Sequence, residues 1–176
     1  MKKLLIILIL LAITVNGFAQ GTSLQTWAKS YNKDFQINAY GSAGYLYGIM
    51  ASAAGEFVIS EFNLSGVPLD WGVAVRGIIQ SYSVGTDSIF MWGIAPLFNV
   101  HLGLTQVPIE FYAGVGLGLY GNVLPSAYAG ALLPFGLGFA AVSGAVWHFT
   151  DQLGLILEGG YIGYTAMWGI GVEYQF

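Results

Sequence analysis

From Phe35 onward, apolar and polar or small residues alternate with a period of two. The pattern is clearest near the C-terminus. Leu153, Leu155, Leu157, Gly159 and Tyr161 share one face, and Gly154, Ile156, Glu158, Gly160 and Ile162 share the other. After a short break, Ala166, Trp168, Ile170, Val172, Tyr174 and Phe176 alternate with Met167, Gly169, Gly171, Glu173 and Gln175. Side chains alternate across a strand, so this is a hairpin with one greasy, aromatic face and one small or polar face. The same period marks strands over 35–45, 51–60, 71–80, 90–101 and 109–120, and a longer one over 131–149. Turn chemistry separates them at Glu61–Asp70 (with Asn63, Gly66, Pro68 and Asp70), Ser83–Ser88, Gly103–Pro108, Asn122–Gly130 and Thr150–Gln152. Pro96 is a blemish in its strand, because it cannot donate to a ladder.

Eight amphipathic strands of about ten residues or more have the length a tilted membrane strand needs. Only helices and closed barrels satisfy their backbone in lipid, so the pattern predicts an all-β, eight-stranded antiparallel up-and-down transmembrane barrel. The greasy phase faces lipid. Glycine beside tyrosine on the other phase suits a narrow bore filled by side chains. With the N-terminus in the periplasm, Trp71 opens an ascending strand and Trp147 ends a descending one. Trp92 and Trp168 open descending strands. All four fall on the outward phase near strand ends and predict two aromatic girdles.

Composition agrees. Only 8 % of the 176 residues are charged, and mean hydropathy is +0.67, where a soluble domain carries about 25 % charge. There is no Cys, hence no disulfide framework and no thiolate metal site. Lys2 and Lys3 precede an apolar run from Leu4 to Val15, and Gly17-Phe18-Ala19 offers small residues at a cleavage site. This reads as a secretory signal peptide cleaved after Ala19. The run is short of the ~20 residues a helical anchor needs. The organisation predicted is therefore a signal peptide over 1–19, a periplasmic N-terminal lead (or short helix) over 20–34 and the barrel over 35–176. Loss of Lys2 and Lys3 takes the formal net charge from −4 to −6 and leaves Lys29, Lys33 and Arg76 as the fixed cations. That excludes a nucleic-acid surface, which must be basic.

Inward charges are few, and each needs a partner. Pairing across Glu61–Asp70 brings Glu56 opposite Arg76 and predicts a lumen salt bridge. Across Gly103–Pro108, Leu102 pairs with Ile109 and sets His101 against Glu110, a polar plug near the rim. Glu158 and Glu173 also point inward, so a water path, if one existed, would favour cations. His148-Phe149-Thr150 followed by Glu158 resembles the His-x-Ser…Glu triad of the outer-membrane lipid A deacylase family, with Thr in place of Ser and the following Asn-Ala missing. A tight turn pairs Phe149 with Leu153 and sets Glu158 across from Gly144, about 13 Å along the strand from His148. A base and its orienting group need about 3 Å. Gly114-Val115-Gly116 lies inside an apolar strand, without the helix and Lys of a phosphate loop. No catalytic, cofactor or metal residues are expected. A helical inner-membrane reading competes, since Phe111–Phe149 contains no charged residue. Alternate glycines, the lack of cationic flanks, and Pro125 and Pro134 oppose it.

The Thr150–Leu155 turn, the Trp168–Phe176 terminus and the Ala113–Gly118 stretch resemble small outer-membrane barrel proteins of the OmpA/OmpX-like superfamily. The resemblance implies that Phe176, with Tyr174, Val172 and Ile170 on the same phase, is the signal read by the barrel-assembly machinery. It implies no enzymatic activity. The expectation is a monomeric outer-membrane barrel in contact with lipid and with a structural or surface-interaction role. Its outer loops would lie near Leu46–Met50, Ser83–Ser88, Asn122–Gly130 and Gly163–Thr165. A narrow cation-preferring channel and a lipid A-modifying enzyme are the alternatives.

Overall fold

The structure, a computed structural model, describes residues 27–28, 33–45, 48–104, 107–125 and 134–176. The signal-peptide reading lies outside these residues, as does most of the N-terminal lead. The strands are β1 (Trp27–Ala28), β2 (Ile37–Tyr45), β3 (Ile49–Leu64), β4 (Val67–Val84), β5 (Asp87–Leu104), β6 (Ile109–Val123), β7 (Phe135–His148), β8 (Leu153–Ile162) and β9 (Thr165–Gln175). Strands β2 to β9 pair antiparallel with their sequence neighbours, and β2 pairs with β9 to close the ring. The short β1 adds to β5, with Trp27 opposite Leu104 and Ala28 opposite Gly103. The helical reading is overturned: Phe111–Val123 and Phe135–His148 are strands, and no described helix is long and apolar enough to cross a membrane.

The burial pattern is that of a soluble protein turned inside out. Phe98, Phe111, Val115, Leu117, Leu137, Phe139, Leu157, Trp168, Ile170 and Val172 are exposed on the outer wall, while Glu56, Arg76, His101, Glu110, Glu158 and Glu173 are buried. No outward position of the eight described barrel strands carries a charge. In water such a wall would be a large unprotected apolar surface, so its solvent is lipid. Trp71, Trp92, Trp147 and Trp168 all stand on the outward phase. Trp71 rests beside Phe98 at 5.7 Å and Trp92 beside Phe135 at 6.1 Å between ring centroids.

Several boundaries differ from the sequence reading, and the hairpins explain why. Glu61–Asp70 is not a loop, because β3 and β4 run on through it to a two-residue turn at Ser65–Gly66. Both turn residues have positive φ, 52° and 90°, which is the turn that matches strand twist. Asn63 Oδ1 accepts the Gly66 N–H at 2.7 Å. Pro68 is tolerated because β4 has no β5 partner beyond Asp70. Likewise Ser83–Ser88 is a hairpin turning at Gly85–Thr86. Trp71 and Trp92 therefore sit inside β4 and β5 rather than opening them. Ile49 and Met50 belong to β3, Gly103 and Leu104 to β5, Asn122 and Val123 to β6, and Thr165 to β9. Strand β7 starts at Phe135, and the 126–133 part of the predicted loop and strand lies outside the described residues. The β5–β6 ladder lapses at Ala95 and Pro96 without a change of register, as a missing N–H requires.

Candidate functional site: the interior of the barrel

The inward phase is divided. On the side of the mouth that carries the chain ends it is polar. Towards the other mouth, Met50, Ile78, Ala95, Ala140, Ile162 and Met167 form a buried apolar layer. Each lies further along its strand, away from the chain ends, than Glu56, Arg76, His101, Glu158 and Glu173 on the same walls. The bore is thus mainly polar at one end, with Ala74, Val146 and Ile156 among the polar groups, and mainly apolar beyond, where Gln80 and Thr165 are also buried.

Two polar clusters fill the lower half. The first is built on Glu158. One carboxylate oxygen takes a charge-assisted bond from Arg76 Nη1 at 2.5 Å and another from the Tyr112 hydroxyl, and the second oxygen takes the Ser42 hydroxyl at 2.5 Å. Arg76 Nη1 also donates to Ser52 Oγ at 3.1 Å. Among the described residues the Arg76 Nε and Nη2 atoms find no hydrogen-bond partner, and the guanidinium lies 5.6 Å from the Tyr40 ring centre as a cation–π contact. The main contributors come from alternate strands, β2, β4, β6 and β8, and meet at the axis. That is how side chains fill a small barrel in layers.

The second cluster is built on Glu56 and His101. Glu56 accepts from the Tyr40 hydroxyl at 2.7 Å, Asn99 Nδ2 at 2.9 Å and His101 Nε2 at 2.8 Å. The other ring nitrogen, Nδ1, faces Glu110 Oε1 at 2.6 Å. A carboxylate oxygen thus faces each ring nitrogen, so the imidazole bridges Glu56 and Glu110. The ring stacks on Tyr112 at 5.7 Å. His148 Nε2 lies 3.8 Å from Glu110, and Gln36 and Asn38 extend the chain of contacts toward the mouth. Glycine makes room for these groups. A Cβ on Gly114 would collide with the Asn99 amide oxygen, and one on Gly144 would come within 2.7 Å of the Tyr112 ring.

All six ionisable residues picked out in the sequence are therefore inside; His101 meets Glu110 as expected, but Arg76 does not pair with Glu56. The predicted Glu56–Arg76 salt bridge is absent. A one-residue bulge between Val58 and Ser60 puts Glu56 opposite Ala74 and Arg76 opposite Ala54. Arg76 reaches across the bore to Glu158 instead, while three donors hold Glu56. The predicted register of Leu102 with Ile109 is also wrong. Leu102 pairs with Phe111, and His101 is opposite Tyr112. That slip is of two residues, so every side chain keeps its face, and His101 still meets Glu110 diagonally. Asp70, within the predicted turn, is a further buried inward carboxylate. Tyr40, Ser42, Asn99 and Tyr112 were not singled out, although their place on the inward phase was readable.

The deacylase-like triad does not assemble. Glu158 is opposite Gly144 and His148 opposite Gly154, so the two are four residues apart along the ladder, about 13 Å. The carboxylate near His148 is that of Glu110. Among the described residues, no three of His, Cys, Asp and Glu are arranged to hold a metal ion.

The fold is that of small eight-stranded outer-membrane barrels of known structure. Among solved structures it is similar to Neisserial surface protein A, with 17% identity, 80% of this chain and 94% of that chain covered, and a TM-score of 0.51. It is also similar to Ail, the attachment invasion locus protein of Yersinia pestis, solved in complex with the heparin analogue sucrose octasulfate, with 15% identity, 80% and 97% coverage and a TM-score of 0.50. No protein family and no curated protein sequence matches the chain.

Proposed function

We propose that this chain is an integral outer-membrane barrel, exported by a cleaved signal peptide, that acts through its surfaces and not through its bore. It is a structural or surface-interaction barrel without catalytic activity. The observation that carries this reading is the interior. The polar half is occupied by mutually bonded side chains, and the apolar layer of Met50, Ile78, Ala95, Ala140, Ile162 and Met167 lies across the remaining path. A hydrophobic constriction in so narrow a barrel excludes water, and ions with it. The outward phase of β9, with Ile170, Val172, Tyr174 and Phe176 exposed, supports its recognition by the assembly machinery, and the uncharged wall supports lipid as its surroundings. The Ail ligand does not transfer. From Phe35 to Phe176 the only Lys or Arg is Arg76, which is buried, so the barrel offers a polyanion no cationic surface.

The test is planar-bilayer recording on refolded protein, where closed bilayers are expected. Steady cation-selective conductance would instead favour the channel reading, which draws on the excess of inward carboxylates over Arg76. Lipid A mass spectrometry with and without the gene is expected to show identical species.

A further inference from the structure

The two long hairpins project from opposite mouths, and their outward faces differ. At the mouth away from the chain ends, the β4–β5 hairpin presents Ser81, Ser83 and Ser88 on the outward phase. That is what a strand leaving lipid for water should show. At the mouth that carries the chain ends, the β3–β4 hairpin runs past Trp71 with its apolar phase unbroken. Phe62 is paired with Leu69 and Leu64 with Val67, on the same side as Trp71. Leu64 is 59 % exposed. The opposite face carries Glu61, Asn63, Pro68 and Asp70.

Beyond Asp70 this segment is hydrogen-bonded only within itself, with β1, seated on β5 at Gly103 and Leu104, lying against β4. Strand β2 pairs with β3 only from Phe57 upward, with one more bond from Val58 N–H to Gln36. Strand β5 pairs with β4 only from Asp70 upward. A lone two-stranded hairpin is marginal in water, and an apolar face on it needs a cover. The open edge of β3 is partly blunted, because Asp34 Oδ1 accepts the Glu61 N–H at 3.2 Å. That disfavours an added strand as the cover. The apolar face, by contrast, continues the lipid-facing wall directly, from Phe98 through its neighbour Trp71 to Leu69 and Val67. The bulge between Val58 and Ser60 lets the hairpin bend.

We propose that the β3–β4 hairpin beyond Trp71 is an interfacial anchor. Phe62, Leu64, Val67 and Leu69 lie on the lipid surface of the leaflet at the mouth bearing the chain ends, with Glu61, Asn63 and Asp70 turned away from it. The hairpin projects about 13 Å past Trp71. Held in the headgroup and upper acyl region, it fixes the depth and rotation of the barrel on one side, as an amphipathic element does at an interface.

The chain has no Cys, so single reporters can be placed. Leu64→Cys, Asn63→Cys and Ser83→Cys, each carrying an environment-sensitive fluorophore, are refolded into phosphatidylcholine vesicles with or without lipids bearing a nitroxide near the headgroup. The Leu64 probe should be blue-shifted, quenched by the nitroxide lipid and several-fold less quenched by aqueous iodide than the Ser83 and Asn63 probes. Val67→Cys repeats the measurement on the partner strand should Leu64→Cys fail to refold. Equal iodide quenching at positions 64 and 83 overturns the proposal. So does a Leu64 probe that escapes iodide without nitroxide quenching and only at high protein-to-lipid ratio, which would make a second copy the cover.

Discussion

Glu158 shows what a single carboxylate costs and what it organises. It is fully buried, with one cation and two hydroxyls bonded to it. Deleting one member of such a pair leaves an uncompensated charge, which costs about 3–5 kcal/mol. Arg76→Met is therefore expected to lower unfolding stability by that amount, read by urea titration of the folded protein in lipid. Adding Glu158→Leu should recover most of the loss, because the isolated charge is then gone. Glycine sets a second limit at this scale. Gly114→Val must expel the Asn99 amide from Glu56, and is expected to cost about 1–3 kcal/mol by overpacking, with Gly66→Val reporting a comparable loss from left-handed backbone alone. That inward residues would be small or polar was readable from the period of two. Which carboxylate would take Arg76 was not. That choice is made across the bore, between β4 and β8, and sequence pairing rules reach only to the adjacent strand.

The strands themselves were legible because lipid enforces the alternation over the whole wall. Their ends were not. Ser65 and Gly66 alone turn the chain at one mouth, and the Asn, Pro and Asp around them read as a loop only if the ladder is assumed to stop where hydrophobicity thins. The bulge between Val58 and Ser60 was equally hidden, since an extra residue leaves no compositional mark. Its effect is large. Below it the β3–β4 ladder runs in one register, and above it the register is shifted so that Glu56 and Arg76 both face the axis. Deleting Ile59 moves every β3 side chain on one side of the site to the wrong face. The deletion variant is expected to lose the heat-modifiable folded band on gels, whereas Ile59→Ala should retain it.

At the scale of the molecule, the interior is one-sided. The polar half leads through Gln36 and Gln175 to a recess of about 890 Å³ that they line with Lys33, Asp34, Thr150, Asp151 and Gln152. The other half is closed by Met50, Ile78 and Met167. Replacing these three with Ser is expected to open a path where the wild type has none, with cation-selective current in planar bilayers, since the carboxylates beyond outnumber the one Arg. A variant that stays silent although folded would show that the polar clusters alone stop ions. The Glu158 cluster also bears on how the ring can be made. The groups bonded to Glu158 and Glu158 itself sit on β2, β4, β6 and β8, so no pair of neighbouring strands contains them. A half-inserted sheet would hold an arginine and a glutamate on separate hairpins with oil between them. Whichever seam closes last, the two charges cost least if they stay hydrated until the walls that carry them meet.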